Sequence, residues 1–174
     1  MTLHFAYGAN MSGAVMRRYA PGARALGVAA LSGYRFVITA DGYASVVPDR
    51  AQVVHGVLWR LIPRDRVALD AWENVAAGLY RAETLPVRSA GRRLPALVYV
   101  ARAGGPGRPK PAPKPALKPA LKPAPKSAPK PGYLELVIAA AREWDLPADY
   151  IGLLQRLLPA RTVEMRSRKI GEFR

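Results

Sequence analysis

Two segments carry residues whose types and spacing could do chemistry. Phe5-Ala6-Tyr7-Gly8-Ala9-Asn10-Met11 reads as a strand ending in a glycine turn, followed by a short helix from Ser12 through Tyr19. Such a turn presents several backbone N–H groups at one place, a nest that can bind an anion or stabilise an oxyanion. Tyr7 and Asn10 would add side-chain hydrogen bonds. The plainer reading is a turn made by Gly8 and Asn10, with Tyr7 in the core. The second segment ends at Glu73, at the C-terminus of a helix expected over 65–73, where a carboxylate opposes the helix dipole. Trp72, Val75 and Leu79 would desolvate it and raise its pKa towards that of a general base. A solvated helix-end glutamate is the competing reading. Asp70 stands one turn earlier, a spacing common on solvated helix faces, and is not read as half of a catalytic pair. His55 has no second ligand candidate beside it and reads as structural.

The elements that must position these residues are mostly strands before residue 104. Leu3–Tyr7, Ala25–Leu31, Tyr34–Thr39, Ala44–Val47 and Val53–Ile62 are apolar or β-branched runs between Gly, Pro and Asp punctuation. Ser32-Gly33 is expected to turn between the second and third. Leu79–Val87 and Leu94–Ala101 form a further pair around Ser89-Ala90-Gly91. Pro63 opens the helix that leads to Glu73. Tyr133–Trp144 repeats apolar residues at helical spacing, and Pro147 opens a last helix with a stripe of Tyr150, Ile151, Leu154, Leu157 and Leu158. About seven strands plus helices indicate a mixed α+β domain, with the last two helices packed back on the sheet.

Between these blocks lies a low-complexity segment. Lys recurs every fourth position at 110, 114, 118, 122, 126 and 130, and ten of the seventeen prolines fall between Pro106 and Pro131. Proline at that density removes N–H donors and fixes φ, so 105–131 is expected to be a disordered or polyproline II spacer. The domain is therefore read as 1–159, interrupted by 105–131 and followed by a basic tail at 160–174. The net charge of +15 invites a nucleic-acid reading. Yet the spacer contributes +7 and the tail +3, leaving +5 for the remaining body. No aromatic residue interleaves the spacer lysines to stack on bases, so weak polyanion contact through 105–131 is the most this charge would support. The absence of cysteine excludes disulfides, thiol nucleophiles, zinc–thiolate clusters and iron–sulfur sites. With only His4 and His55, a histidine-rich metal site is not expected either. No apolar run is long enough to span a bilayer and no signal peptide is seen, so the chain reads as soluble and cytoplasmic, with no membrane partner.

Taken in order, the motifs resemble those of the γ-glutamylcyclotransferase-like family. Tyr7-Gly8-Ala9-Asn10 resembles its Y-G-S-N signature, and Leu31-Ser32-Gly33-Tyr34-Arg35-Phe36 its L-x-G-Y-x-F stretch. Val54-His55-Gly56-Val57-Leu58-Trp59 is similar to its V-x-G-V-L-[YW] strand. Leu69-Asp70-Ala71-Trp72-Glu73-Asn74-Val75 with Gly78-Leu79-Tyr80 is similar to its L-D-x-x-E-G-V…G-x-Y block. Ala96-Leu97-Val98-Tyr99 and Leu146-Pro147-Ala148-Asp149-Tyr150 complete the match over about 3–158. Two positions depart from the pattern: Ala9 replaces the signature serine, and Asn74 replaces the glycine after the glutamate.

The resemblance implies a small closed or nearly closed mixed β-barrel flanked by helices, and a cofactor-independent, metal-free reaction. The α-amine of a γ-glutamyl group would attack its own γ-carbonyl, releasing 5-oxoproline and an amino acid or amine. Glu73 would be the general acid/base. Phe5, Ala6, Tyr7, Gly8, Ala9, Asn10 and Met11 would hold the small γ-glutamyl substrate and supply oxyanion donors, and Tyr99 would line the pocket. The leaving amine, whether an amino acid, a protein-derived γ-glutamylamine or a natural-product amine, stays open. So does the choice between monomer and homodimer.

Overall fold

The computed structural model describes residues 1–102 and 128–159. Most of the expected 105–131 spacer and the 160–174 tail lie outside the described residues. Strands β1 (Thr2–Ala6), β2 (Arg24–Ile38), β3 (Ala44–Leu61), β4 (Tyr80–Ser89) and β5 (Arg92–Ala101) form a closed barrel in the order β1-β3-β2-β4-β5. Neighbouring strands run antiparallel except at the seam, where β1 meets β5 in parallel at His4 and Leu97. Helices α1 (Gly13–Tyr19), α2 (Pro63–Trp72), α3 (Tyr133–Glu143) and α4 (Ala148–Gln155) flank it, so both faces of much of the sheet are covered. The α+β barrel expected from the sequence is the observed fold. No helix among the described residues is long and apolar enough to cross a membrane.

The barrel has five strands where about seven were expected, because two pairs of short runs are continuous. Ala25–Leu31 and Tyr34–Thr39 fuse into the 15-residue β2, and Ala44–Val47 and Val53–Ile62 into the 18-residue β3. Ser32-Gly33 lies within β2 and is not a turn: the β2/β3 register shifts there, with the extra residues on β3 between Pro48 and Val53, and again between Ala25 and Gly27, where the extra residue is on β2. Gly33 at φ +82° and Gly27 at φ +115° let the strand bend at these bulges without ending. A long strand must bend this way to wrap a small barrel. The β4–β5 hairpin forms as expected, its turn built on Ala90 and Gly91, both at positive φ.

Phe5, Leu31, Val54, Val57, Leu61 and Leu69 are fully buried. Leu134, Val137 and Ala141 of α3 and Leu154 of α4 pack against this core. Burying one such aliphatic side chain is worth about 1.5–3 kcal/mol, which explains why the two C-terminal helices dock on the barrel. The α4 stripe is shorter than expected. The helix stops at Gln155, and Leu157 lies partly in water. Close approach of β1 to β3 depends on Gly56, where a Cβ would sit 2.1 Å from the Ala6 carbonyl oxygen. That contact seats the strand whose end leads directly into Tyr7-Gly8.

Candidate active site

The two chemically interesting segments meet. Beyond β1, Ala9–Met11 form one turn of 3₁₀ helix, closed by Met11 N–H to the Gly8 carbonyl (3.0 Å) and Ser12 N–H to the Ala9 carbonyl (3.0 Å). Asn10 is buried in this turn and its Nδ2 donates to Glu73 Oε1 at 2.8 Å. Glu73 caps α2, and the chain turns away through Asn74 at φ +50°. Asparagine is the side chain that best tolerates the left-handed region after glycine, so Asn74 keeps the turn that the family glycine would make. Both segments line one cavity of about 800 Å³, together with Phe5, Ala6, Tyr7, Gly8, Ala9 and Tyr99.

Among the expected site residues Met11 is the exception. Its side chain is fully buried in the core, and its carbonyl accepts a hydrogen bond from Trp144 Nε1 at 2.9 Å. A 3₁₀ turn places successive side chains about 120° apart, so with Asn10 facing Glu73, Met11 points inward. The backbone donors are also used differently from expectation. Met11 and Ser12 N–H close the turn internally. The Ala44 N–H reaches the Tyr133 hydroxyl at 3.3 Å.

Glu73 is only partly exposed, as a residue facing a cavity must be. Desolvation raises its carboxyl pKa from 4.5 to about 7, and the Asn10 hydrogen bond pulls weakly the other way. A carboxyl balanced near neutrality can both accept and return a proton. Asp70, one turn earlier on α2, is engaged elsewhere. Arg66 Nε lies 2.9 Å from both of its oxygens, and Tyr99 Oη donates to it at 2.7 Å. Asp70 thus fixes the Tyr99 ring at the cavity wall.

Five further tyrosines line the cavity, and the hydroxyls of four of them, Tyr7, Tyr43, Tyr80 and Tyr133, are anchored. Tyr7 donates to the Tyr99 carbonyl, which ties its hydroxyl to backbone and leaves its ring as wall. Tyr80 donates to the Ala44 carbonyl at 2.8 Å. Tyr43 bonds Lys130 Nζ at 2.8 Å, and that ammonium also sits 4.4 Å from the Tyr43 ring centroid. Tyr133 accepts the Ala44 amide at 3.3 Å, and burial pushes its pKa up to about 12. Its O–H proton remains to donate within the cavity. Gly8 allows this packing, because a Cβ there would lie 2.8 Å from Tyr133 Oη.

Tyr43, Tyr80 and Tyr133 were not singled out from sequence, although Tyr80 stands inside a quoted motif and Tyr133 opens an expected helix. A tyrosine seven residues beyond a candidate base, in a Gly-x-Tyr block, was the available signal. His4 also lines the cavity. Burial drives its pKa down to about 4, its Nδ1 lies 3.2 Å from the Leu97 carbonyl, and its ring packs edge-on to Tyr99. His55 lies away from the cavity against Tyr150, with ring centroids 5.1 Å apart.

The comparisons agree with this architecture. A structure described as a gamma-glutamyl cyclotransferase superposes with a TM-score of 0.74 at 20% identity, over 93% of this chain and 90% of that one. An uncharacterized human protein gives 0.73 at 21%, over 92% and 89%. An AIG2-like protein from Mus musculus gives 0.51 at 20%, over 58% of this chain and 77% of its own. At these identities the likeness is one of fold. No curated protein sequence matches the chain. The model of the AIG2-like family matches residues 53–154, more than half of the sequence, a span that includes Glu73, Tyr80, Tyr99 and Tyr133. The chain belongs to the AIG2-like family, the γ-glutamylcyclotransferase-like group that its ordered motifs resemble.

Proposed function

We propose that the protein is a γ-glutamylcyclotransferase that converts a γ-glutamyl conjugate into 5-oxoproline and a free amine or amino acid. The observation that carries this reading is the pairing of Glu73 with the signature turn. A carboxyl of pKa about 7 is held 2.8 Å from Asn10 on the wall of the cavity. The family membership and the cyclotransferase fold support it.

In this reading Glu73 takes a proton from the substrate α-ammonium. The freed amine attacks the γ-carbonyl carbon of the same molecule, forming the ring C–N bond and a tetrahedral oxyanion. The oxyanion is met by the Tyr133 O–H, itself polarised by the Ala44 amide. Glu73 returns its proton to the leaving nitrogen, takes the second proton from the ring nitrogen as collapse breaks the bond to the leaving group, and passes that proton to the released amine, which departs as an ammonium. No water is consumed and Glu73 ends as it began. Because nucleophile and electrophile share one chain, the site mainly has to hold that chain bent, and such positioning can supply several kcal/mol. The wall, with the Tyr7, Tyr43, Tyr80, Tyr99 and Tyr133 hydroxyls anchored, is suited to that task.

Polyanion binding through the Lys-Pro spacer is a secondary reading without support among the described residues. The test is a screen of γ-glutamyl amino acids, glutathione and γ-glutamylamines for 5-oxoproline release, with Glu73→Gln as control. Release by the parent protein and its loss in the variant support the reading. Release from none of these conjugates contradicts it.

A further inference from the structure

The inner end of the cavity is polar and tyrosine-lined, but its outer end is chemically different. Ala14, Val15, Arg18 and Tyr19 of α1 line it at helical spacing, so one face of α1 turns towards it, opposite Trp72 and Leu136. Tyr19 and Trp72 stack with ring centroids 3.8 Å apart at 31°. Despite this stacking Trp72 remains 44% exposed and Leu136 37%. An apolar, aromatic platform left in water at the mouth of a cavity fits a ligand better than it fits packing.

Position and charge specify that ligand. Trp72 directly precedes Glu73, the group that in the proposed reaction protonates the leaving nitrogen. Whatever is attached to that nitrogen therefore extends over Trp72. Arg18 is the one Lys or Arg, and Glu73 the one acid, among the described residues that line the cavity. The Arg18 guanidinium lies 5.4 Å from the Tyr19 ring centroid and makes no ion pair among the described residues.

Resting on the cyclotransferase reading, we propose that this rim is a leaving-group subsite for a large apolar or aromatic amino acid with a free carboxylate. The side chain lies on the Tyr19–Trp72 platform and the carboxylate pairs with Arg18. A leaving group carrying an extra ammonium and no carboxylate, such as a γ-glutamylated diamine, meets Arg18 unfavourably. The subsite thus selects among the amines that the sequence left open.

The experiment compares kcat/KM for 5-oxoproline release from γ-glutamyl-phenylalanine, γ-glutamyl-alanine and γ-glutamyl-phenethylamine, the last lacking only the carboxylate. The parent protein should favour phenylalanine over alanine by about tenfold or more, the scale of a filled apolar pocket. Trp72→Ala should collapse that ratio towards one. Arg18→Gln should lower kcat/KM for the phenylalanine conjugate about tenfold more than for the phenethylamine conjugate, the scale of a charge-assisted contact. Because each readout is a ratio within one protein, a variant with reduced overall activity still reports. Turnover that is lost in Glu73→Gln but shows no phenylalanine preference overturns the subsite and leaves the cyclotransferase reading standing. An equal effect of Arg18→Gln on both aromatic conjugates overturns the carboxylate contact. Absence of turnover on all three overturns the subsite, and the cyclotransferase reading falls with it only if glutathione and the other γ-glutamylamines also release no 5-oxoproline.

Discussion

Replacing Glu73 by glutamine should abolish activity and, above neutral pH, make the protein more stable. The unfolded chain holds this carboxyl near 4.5, the folded chain near 7. Between those values the native state binds more protons than the unfolded state, so stability falls as pH rises through that window. Below about 4.5 both states are protonated and the penalty is absent; above about 7 both are ionised and it is complete. At roughly 1.4 kcal/mol per pKa unit, and discounting for the partial exposure of the side chain, the penalty is about 2 to 3 kcal/mol. Glutamine carries no charge to bury, and its carbonyl can still accept the hydrogen bond from Asn10 Nδ2. Urea unfolding followed by tryptophan fluorescence between pH 5 and 8 reads the effect. The parent protein should lose about 2 to 3 kcal/mol relative to Glu73→Gln across that range, a midpoint difference of about 1 to 2 M urea. Parallel stability curves, or a variant less stable than the parent at pH 8, would refute the argument that Glu73 is held desolvated at a cost in stability.

Substitutions at three other positions probe neighbouring parts of the site. Asn10→Ala removes the hydrogen bond that favours ionised Glu73, so the rising limb of the pH–rate profile should move above 7. A limb that stays in place or moves down contradicts the pairing. Gly8→Ala drives a methyl against Tyr133 Oη and should cost about a hundredfold in kcat/KM, measured as 5-oxoproline release. Asn74→Ala places an ordinary side chain at φ +50° and should lower stability by about 1 kcal/mol, whereas Asn74→Gly should change it by only a few tenths; thermal unfolding distinguishes the two.

Much of the site was legible because its residues lie in two short segments whose local rules are visible in sequence. Glycine before Asn10 signals a turn at a strand end, and a glutamate at a helix C-terminus is conspicuous because basic residues are favoured there. What local rules could not carry is how the chain returns on itself. Gly33 carries the same signal in a bulge as in a hairpin turn, so β2 and β3 each looked like two strands until the register showed one. Local rules likewise placed Met11 with the turn that contains it, whereas burial puts its side chain in the core. The Ala44 amide bonded to the Tyr133 hydroxyl, with Gly8 packed against the same oxygen, joins positions far apart in sequence through barrel closure and the docking of α3. The Arg18–Tyr19–Trp72 rim was illegible for the same reason, since each residue alone is an ordinary helix-surface side chain. The net charge of +15 was the most conspicuous feature and bears least on the site, where Arg18 is the one Lys or Arg among the described cavity-lining residues.

The central claim is that Glu73 performs the proton transfers of γ-glutamyl cyclisation. Its most direct test is the pH dependence of 5-oxoproline release from one accepted γ-glutamyl amino acid, measured for the parent protein and for Glu73→Gln. The account predicts a rate for the parent that rises through a pKa of about 7, and a loss of about 10²–10⁴-fold in the variant. A Glu73→Gln protein that releases 5-oxoproline at the parent rate, with the same pH dependence, would contradict it.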